Sequence, residues 1–126
     1  YSVIYFTAAG LFDILAENTF GKRQNKDSDV FEHIYDCDLL IIDDLGTELP
    51  NSFTVSQLFI CLNERILRQK STIISTNLAL DDIKTIYSER TFSRISSNYT
   101  ILRITGDDIR IQKKLLNLGG TNDVTP

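Results

Sequence analysis

The sequence contains no methionine and no tryptophan, and His33 is its only histidine. A single histidine argues against a zinc site built on histidines and against a Ser-His-Asp triad. The two cysteines, Cys37 and Cys61, form neither a CxxC motif nor a disulfide framework. These shortages exclude several common kinds of catalytic centre, and they favour a reducing, cytoplasmic environment.

The sequence also lacks a long apolar run, a signal peptide and an excess of positive charge. No segment approaches the roughly 18–20 apolar residues that a membrane span requires, so we expect no membrane partner. The net charge is −4 and the pI is about 4.9, whereas self-sufficient nucleic-acid-binding domains are usually basic. Any contact with DNA would therefore come from a local patch or from a ring of subunits. The basic loop with Lys22, Arg23 and Lys26 is a poor candidate, because such a loop is more often simply solvated.

The 126 residues fit one domain, in which we expect residues 1–118 to be folded and residues 119–126 to be a flexible tail. Segments rich in β-branched and aromatic residues alternate with segments of helical apolar spacing. This alternation is typical of an α/β fold with a parallel sheet. The predicted strands are Ser2–Thr7, Leu39–Asp44, Ser71–Thr76 and Thr100–Thr105, and a helix is predicted over about Glu89–Ser97.

The segment Leu39–Asp44, which reads LLIIDD, has four apolar residues followed at once by two acids. Four apolar residues in a row predict a strand that is covered on both faces. Acids at the carboxyl end of a parallel strand lie where α/β folds bind ligands. Asp43 could then hold Mg²⁺, and Asp44 could orient an attacking water molecule. The plain alternative is a strand end with two solvated acids.

Two further segments carry polar side chains that could join the same chemistry. Asn77 ends STIISTN and would lie beside the acids, although an asparagine in a turn is the simpler interpretation. Arg90 and Arg94 are four residues apart in ERTFSRI, so they project from one face of a helix. Such arginines can stabilise transition-state charge on the nucleotide of a neighbouring subunit. The alternative is a solvated helix face with a Glu–Arg pair.

In combination, LLIIDDLGTE, STN, ERTFSRI and GDDIRIQKK resemble the AAA+ ATPase domain of DnaC/DnaI-type replicative helicase loaders and of their IstB-like relatives. The resemblance runs from SVIYFTAAGLFDIL to about Leu115, and it implies the three-layer α/β fold of a P-loop NTPase that uses ATP and Mg²⁺. It gives Asp43 the role of the Walker B magnesium residue, Asp44 that of the catalytic acid and Asn77 that of sensor 1.

The same resemblance gives each arginine a role and implies partners. Arg94 matches the arginine finger, with Arg90 close by, and would support self-association by acting on a neighbouring subunit. Arg110 matches the sensor 2 arginine, which contacts the γ-phosphate of the subunit's own nucleotide. The replicative DNA helicase and single-stranded DNA are the partners that the resemblance implies.

Two features depart from the family pattern. Asp44 stands where many AAA+ proteins have glutamate, which suggests slow hydrolysis. The Walker A motif GxxxxGK[ST] is absent, and Gly21-Lys22-Arg23 does not replace it. We therefore expect strand 1 and the P-loop to lie upstream of Tyr1, and nucleotide binding by this chain alone to be weak. In the family's strand order, 5-1-4-3-2, the slot left by strand 1 would be filled by the fourth predicted strand, by another chain or by the tail.

Three functions are compatible with the sequence. The favoured one is an ATPase domain that helps to place the replicative helicase on DNA in the primosome. The second is a helper ATPase of a transposase, as in IstB. The third is an interaction module that does not use nucleotide, an interpretation that the absence of a P-loop favours for this chain. Whether the chain is itself an enzyme is left undecided by the sequence.

Overall fold

The computed structural model describes residues 1–20 and 28–105, with the side chains of 18–20 and 28–29 excepted. Within these residues the chain forms three strands and five helices. The strands are β1 (Val3–Thr7), β2 (Leu39–Leu45) and β3 (Ser71–Thr76); the helices are α1 (Ala8–Phe20), α2 (Ser28–Asp36), α3 (Ser52–Leu67), α4 (Leu80–Tyr87) and α5 (Glu89–Asn98). The first three predicted strands and the helix over Glu89–Ser97 are therefore confirmed to within one residue at each end.

The strands form one parallel sheet in the order β1-β2-β3. Ile42 of β2 is paired with Phe6 of β1 and with Ile74 of β3. Parallel neighbours need a crossover of a dozen or more residues, and α1 with α2, then α3, supply the two crossovers. The carboxyl ends of all three strands consequently lie at the same edge of the sheet, where Asp43 and Asp44 are found.

Helix starts are defined by local hydrogen bonds that the sequence encodes. The Thr7 hydroxyl accepts the N–H of Gly10 at 3.1 Å in the first turn of α1. Asn51 and Thr54 form a reciprocal capping box at the start of α3. These side chains satisfy backbone donors that would otherwise have no partner at the helix ends. Helix α1 thus begins directly after β1, and α3 begins directly after its cap Asn51 in the loop that follows β2.

The core lies between the helices and one face of the sheet. Leu40 and Ile42 of β2 are fully buried there with Leu11 and Leu15 of α1 and Leu58 of α3. Burying a side chain of this size contributes roughly 1.5–3 kcal/mol each. The residues at odd positions of β1 and β3 face the other way, as do those of β2 as far as Asp43, and within the described part of the chain this second face is not covered: the exposed fraction is 59% for Val3 and 52% for Ile73. Among the described residues, the expected cover of β2 on both faces is therefore present on one face only.

The predicted strand Thr100–Thr105 is wrong. Residues 100–105 have no regular secondary structure, and Leu102 and Ile104 are almost fully exposed. A strand needs a neighbouring backbone for its hydrogen bonds, and no described strand lies beside this segment. It does not pair with β3, which has β2 as its one neighbour among the described strands. Residues 106–126, including the predicted tail, lie outside the described residues.

Arg65 of α3 is fully buried and joins three elements. Its guanidinium donates to the carbonyl oxygens of Ile34 in α2 at 2.7 Å and Ser71 in β3 at 2.6 Å, and to the Thr72 hydroxyl at 2.9 Å. A buried cation is tolerated when its donors are satisfied in this way.

None of the described helices is long and apolar enough to cross a membrane.

Candidate nucleotide and metal site

Asp43, near the carboxyl end of β2, is held by both neighbouring strands. The Tyr5 hydroxyl of β1 donates to Asp43 Oδ2 at 2.5 Å, and the Ser75 hydroxyl of β3 donates to Asp43 Oδ1. Both carboxylate oxygens therefore have a donor from within the chain. Each oxygen keeps a second lone pair, so the carboxylate can still bind a cation or a metal-bound water.

The same hydrogen bonds favour the ionised form of Asp43. The Ser75 and Tyr5 hydroxyls lower the pKa of the Asp43 carboxyl below its ordinary value, and desolvation opposes them to a smaller extent. The hydrogen bond to Asp43 also raises the pKa of Tyr5. A fixed and ionised carboxylate at the end of a strand is the kind of oxygen ligand that Mg²⁺ prefers.

Asp44 follows in a strained conformation at a break in the sheet register. Its φ is 57°, in the left-handed region that few residues other than glycine adopt, and the β2–β3 pairing is irregular between Ile42 and Leu45. Its backbone N–H donates to the Ser75 hydroxyl at 2.9 Å, while its side chain is exposed. Strain of this kind persists where the surroundings enforce it, and it is concentrated at functional sites. The exposed side chain is free to meet a ligand at this edge.

Asn77 lies one residue beyond β3, at the same edge of the sheet. The β3 residue that contacts Asp43 is Ser75, whereas the Asn77 side chain is exposed and has no hydrogen bond with a described residue. The structure therefore brings Asp43, Asp44 and Asn77 to one strand edge, as predicted from the sequence. It does not join Asn77 to the acids by a direct contact.

Arg90 and Arg94 lie on α5, away from the acids. They line a shallow concave surface of about 450 Å³ with Phe59, Glu89 and Ser93. The Arg90 guanidinium lies 4.2 Å from the centre of the Phe59 ring, within range of a cation–π interaction. No residue of the β2 carboxyl end lines this surface. The arginines and the acids are thus two separate groups in the described part of the chain.

Arg110 lies outside the described residues, and so do Lys22, Arg23 and Lys26 of the predicted basic loop. No three His, Cys, Asp or Glu side chains among the described residues converge on a point where they could hold a metal ion. Mg²⁺ is usually held by one or two carboxylates together with water molecules and phosphate oxygens. The single fixed carboxylate of Asp43 fits that mode of binding.

Tyr5, Ser75 and Glu48 are site residues that the sequence reasoning missed. Aligning the apolar pair of IIDD with that of IIST would have found Ser75, because Ile41 is paired with Ile73 and Ile42 with Ile74. Tyr5 is two residues before Thr7, which is paired with Asp43, so it lies on the same face of the sheet. Glu48 has no such signal, because its contact with Tyr87 joins a loop to a helix distant in sequence.

Residues 1–117 match the sequence profile of the family described as IstB-like ATP binding protein. No curated protein matches the chain.

Solved structures of replication proteins share the fold. A crystal structure of the DnaC helicase loader matches with a TM-score of 0.71 and 23% identity, over 82% of this chain and 61% of that chain. The replication initiator DnaA bound to AMPPCP and single-stranded DNA matches with a TM-score of 0.68 and 20% identity, over 94% of this chain and 37% of that one. AMPPCP-bound DnaA from Aquifex aeolicus matches with a TM-score of 0.64 and 21% identity, over 94% and 37%.

These likenesses place the chain in the α/β fold of P-loop AAA+ NTPases, which confirms the predicted fold class. The order β1-β2-β3 agrees with strands 2, 3 and 4 of the expected sheet. The chain spans 61% of the DnaC chain and 37% of the DnaA chains. It is therefore similar to part of each of these proteins.

Proposed function

The chain belongs to the family of IstB-like ATP-binding proteins, and from that premise we propose that it is part of an ATP-dependent loader of the replicative DNA helicase. The proposal of ATP hydrolysis rests on one observation: Tyr5 and Ser75 hold the Asp43 carboxylate by hydrogen bonds, and Asp44 lies beside it. The proposal of helicase loading is supported by the likeness in fold to the DnaC helicase loader.

The acids have distinct roles in the proposed reaction. Asp43 would hold Mg²⁺, which when bound neutralises charge on the nucleotide phosphates. Asp44 would orient the water that attacks the γ-phosphate and accept its proton. Asn77, at the same edge, would position that water from the other side. The hydrogen bonds from Tyr5 and Ser75 support these roles, because they keep Asp43 ionised and in one orientation.

The arginines would act between subunits. Arg94 and Arg90 are exposed on α5, and their guanidinium groups form no ion pair with a described carboxylate. Their separation from Asp43 supports a role in trans, with Arg94 reaching the phosphates bound by a neighbouring subunit and Arg90 contributing to the same contact. Arg110 would contact the γ-phosphate of the subunit's own nucleotide. We propose self-association through Arg94 on the same grounds.

Single-stranded DNA is a further proposed partner. One structural neighbour is a replication initiator bound to AMPPCP and single-stranded DNA, which supports a DNA-binding role by analogy of fold. The net charge of −4 requires a local patch or a ring of subunits for such contact.

We also propose a cytoplasmic location. Both cysteines are free and buried, and burial raises the pKa of Cys61 to about 12, as suits structural thiols.

Mixing two variants tests the ATPase proposal in the full-length protein, with any segment that precedes Tyr1 included. Asp44→Asn and Arg94→Ala should each abolish most ATP hydrolysis, measured as phosphate release. Mixing them should restore part of it, because an Asp44→Asn subunit still offers Arg94 to a neighbour with intact acids. Mixing two preparations of the Arg94→Ala variant is the control and should restore nothing. No recovery between different variants, despite assembly and ATP binding, would contradict action in trans.

A transposition helper of the IstB kind is the second candidate function, because the family is described as IstB-like. Capture experiments with the full-length protein separate the two. Recovery of the replicative helicase supports the loader, whereas recovery of a transposase alone would refute it. A protein that neither hydrolyses nor binds ATP in full-length form would instead be an interaction module.

A further inference from the structure

Glu48 connects the loop after β2 to the end of α4. Its Oε2 accepts the backbone N–H of Gly46 at 3.0 Å, and its Oε1 accepts the hydroxyl of Tyr87. Tyr87 is fully buried and is the last residue of α4. Burial, together with the hydrogen bond to Glu48, raises the pKa of Tyr87, so its hydroxyl stays a proton donor. One side chain thus ties two elements that are distant in sequence.

On one side of this bond is the turn that follows the acids. The Thr47 hydroxyl donates to the carbonyl oxygen of Asp44 at 2.8 Å, and the Thr76 hydroxyl donates to that of Leu45 at 2.6 Å. Gly46 has a φ of 103°, and a Cβ there would lie 2.6 Å from the Leu78 side chain. These contacts fix the turn between Asp44 and Glu48 in one conformation.

On the other side is the start of α5. Ser88, immediately after Tyr87, has a φ of 106°, which is strained for a residue with a side chain. Its hydroxyl accepts the N–H of Thr91 at 3.4 Å and caps α5, and Thr91 is fully buried. Arg90 lies three residues beyond Tyr87, and Arg94 one helical turn further. Because Ser88 is the single residue between α4 and α5, the Tyr87 ring and these arginines can move little relative to one another.

We propose that the Glu48–Tyr87 hydrogen bond sets the position of α5 relative to the turn at Asp44. Glu48 and Tyr87 are then positioning residues, because they act through Arg94 and touch no reacting atom themselves. This inference rests on the proposed function of Arg94 in trans. Its physical basis is that α5 presents Arg94 to the nucleotide of the neighbouring subunit. A small displacement of this charged group relative to the phosphates of that nucleotide costs roughly 10- to 100-fold in rate.

The test is Tyr87→Phe in the full-length protein, which removes the hydroxyl and keeps the buried ring. The expected result is a fall in kcat for ATP hydrolysis of about tenfold, with the affinity of a subunit for ATP unchanged. Tyr35→Phe is the matched control, because Tyr35 is a partly buried tyrosine on α2 whose ring contacts Phe31 and Arg68, neither of which is a site residue. It should leave kcat unchanged. An unchanged kcat in Tyr87→Phe would overturn the inference.

A double-mutant cycle separates positioning from a general structural effect. In an Arg94→Ala background, Tyr87→Phe should have no further effect on kcat, because the arginine that it positions is already absent. The same factor in both backgrounds would overturn the inference while leaving the proposed function intact. If Arg94→Ala alone left kcat unchanged, the proposed action in trans would fail, and this inference with it.

Glu48→Leu keeps the inference testable if Tyr87→Phe does not fold. Leucine has no acceptor for the Tyr87 hydroxyl, whereas a glutamine amide could still accept the Gly46 N–H and donate to the Tyr87 oxygen. The expected effect has the same direction as that of Tyr87→Phe, and the same cycle with Arg94→Ala applies. A folded Glu48→Leu variant with unchanged kcat would contradict the inference.

Discussion

The acids at the end of β2 and the arginines on α5 are held in different ways. Both oxygens of Asp43 accept hydrogen bonds from neighbouring strands, and the backbone N–H of Asp44 donates to Ser75. The guanidinium of Arg90 lies against an aromatic ring, and neither Arg90 nor Arg94 pairs with a described carboxylate. The comparison indicates that the acids are preorganised within the chain, whereas the arginines are exposed for a contact that the chain alone does not supply.

The acids and the arginines also differ in the part of the core that supports them. Ile42, which precedes Asp43, is fully buried in the centre of the sheet, whereas α5 rests on the core through Ile95 and Thr91 at its edge. A central strand loses more packing than a peripheral helix when its apolar residues are shortened. The position of the acids should therefore depend on the global stability of the fold, and that of the arginines on a more local contact.

The largest expected effect comes from shortening Ile42. Ile42→Ala in the full-length protein should reduce the free energy of unfolding by about 2–5 kcal/mol, because it leaves a cavity in a closely packed core. Ile95→Ala should cost less, since Ile95 lies on a helix, whereas Ile42 lies on the central strand of the sheet and is fully buried. Urea unfolding followed by circular dichroism measures both. An equal or larger loss of unfolding free energy in Ile95→Ala would contradict the distinction between support from a central strand and support from a peripheral helix.

An intermediate effect is expected when the acid group loses a supporting hydroxyl. Ser75→Ala removes a donor to Asp43 and the acceptor for the Asp44 N–H. Supporting contacts of this kind are typically worth about 10- to 100-fold in metal affinity. Competition by Mg²⁺ against Mn²⁺ in the presence of ATP, followed by electron paramagnetic resonance, should show a weakening of that order in the full-length protein.

Ser71→Ala is the matched control for Ser75→Ala. Ser71 lies on the same strand and the same face of the sheet, and its side chain is exposed at the opposite end. Its replacement should leave the affinity for Mg²⁺ unchanged. An equal loss in both variants would mean that strand β3 as a whole, and not the hydroxyl at Ser75, supports Asp43.

The smallest effect is expected at the ring beneath Arg90. Phe59→Leu keeps apolar volume but removes the face on which the guanidinium rests. The coupling between Phe59→Leu and Arg90→Ala in unfolding free energy should be about 0.5–1 kcal/mol, as for an exposed cation–π pair. Phe31→Leu is the control, since the Phe31 ring faces Tyr35 at 6.1 Å and should show no coupling with Arg90→Ala. A coupling of several kcal/mol would show that α5 is as rigidly held as the acids.

The sequence by itself determined three of the four predicted strands, their parallel pairing and the place of the acids. Short apolar runs such as LLII and STIIST are local signals, and a parallel sheet puts their carboxyl ends on one edge whatever the details of packing. Asp43, Asp44 and Asn77 could therefore be assigned to that edge from the order of the residues alone. The helix with Arg90 and Arg94 was equally readable from its apolar spacing.

The tertiary structure decided what holds those residues and where a strand pattern fails. Thr100–Thr105 has the composition of a strand and does not form one, because a strand depends on a neighbour that composition does not reveal. The bonds from Tyr5 and Ser75 to Asp43, and from Tyr87 to Glu48, depend on register and on how helices pack against loops. Hydrogen bonds between residues distant in sequence have no local signature, so they emerge only once the chain is folded.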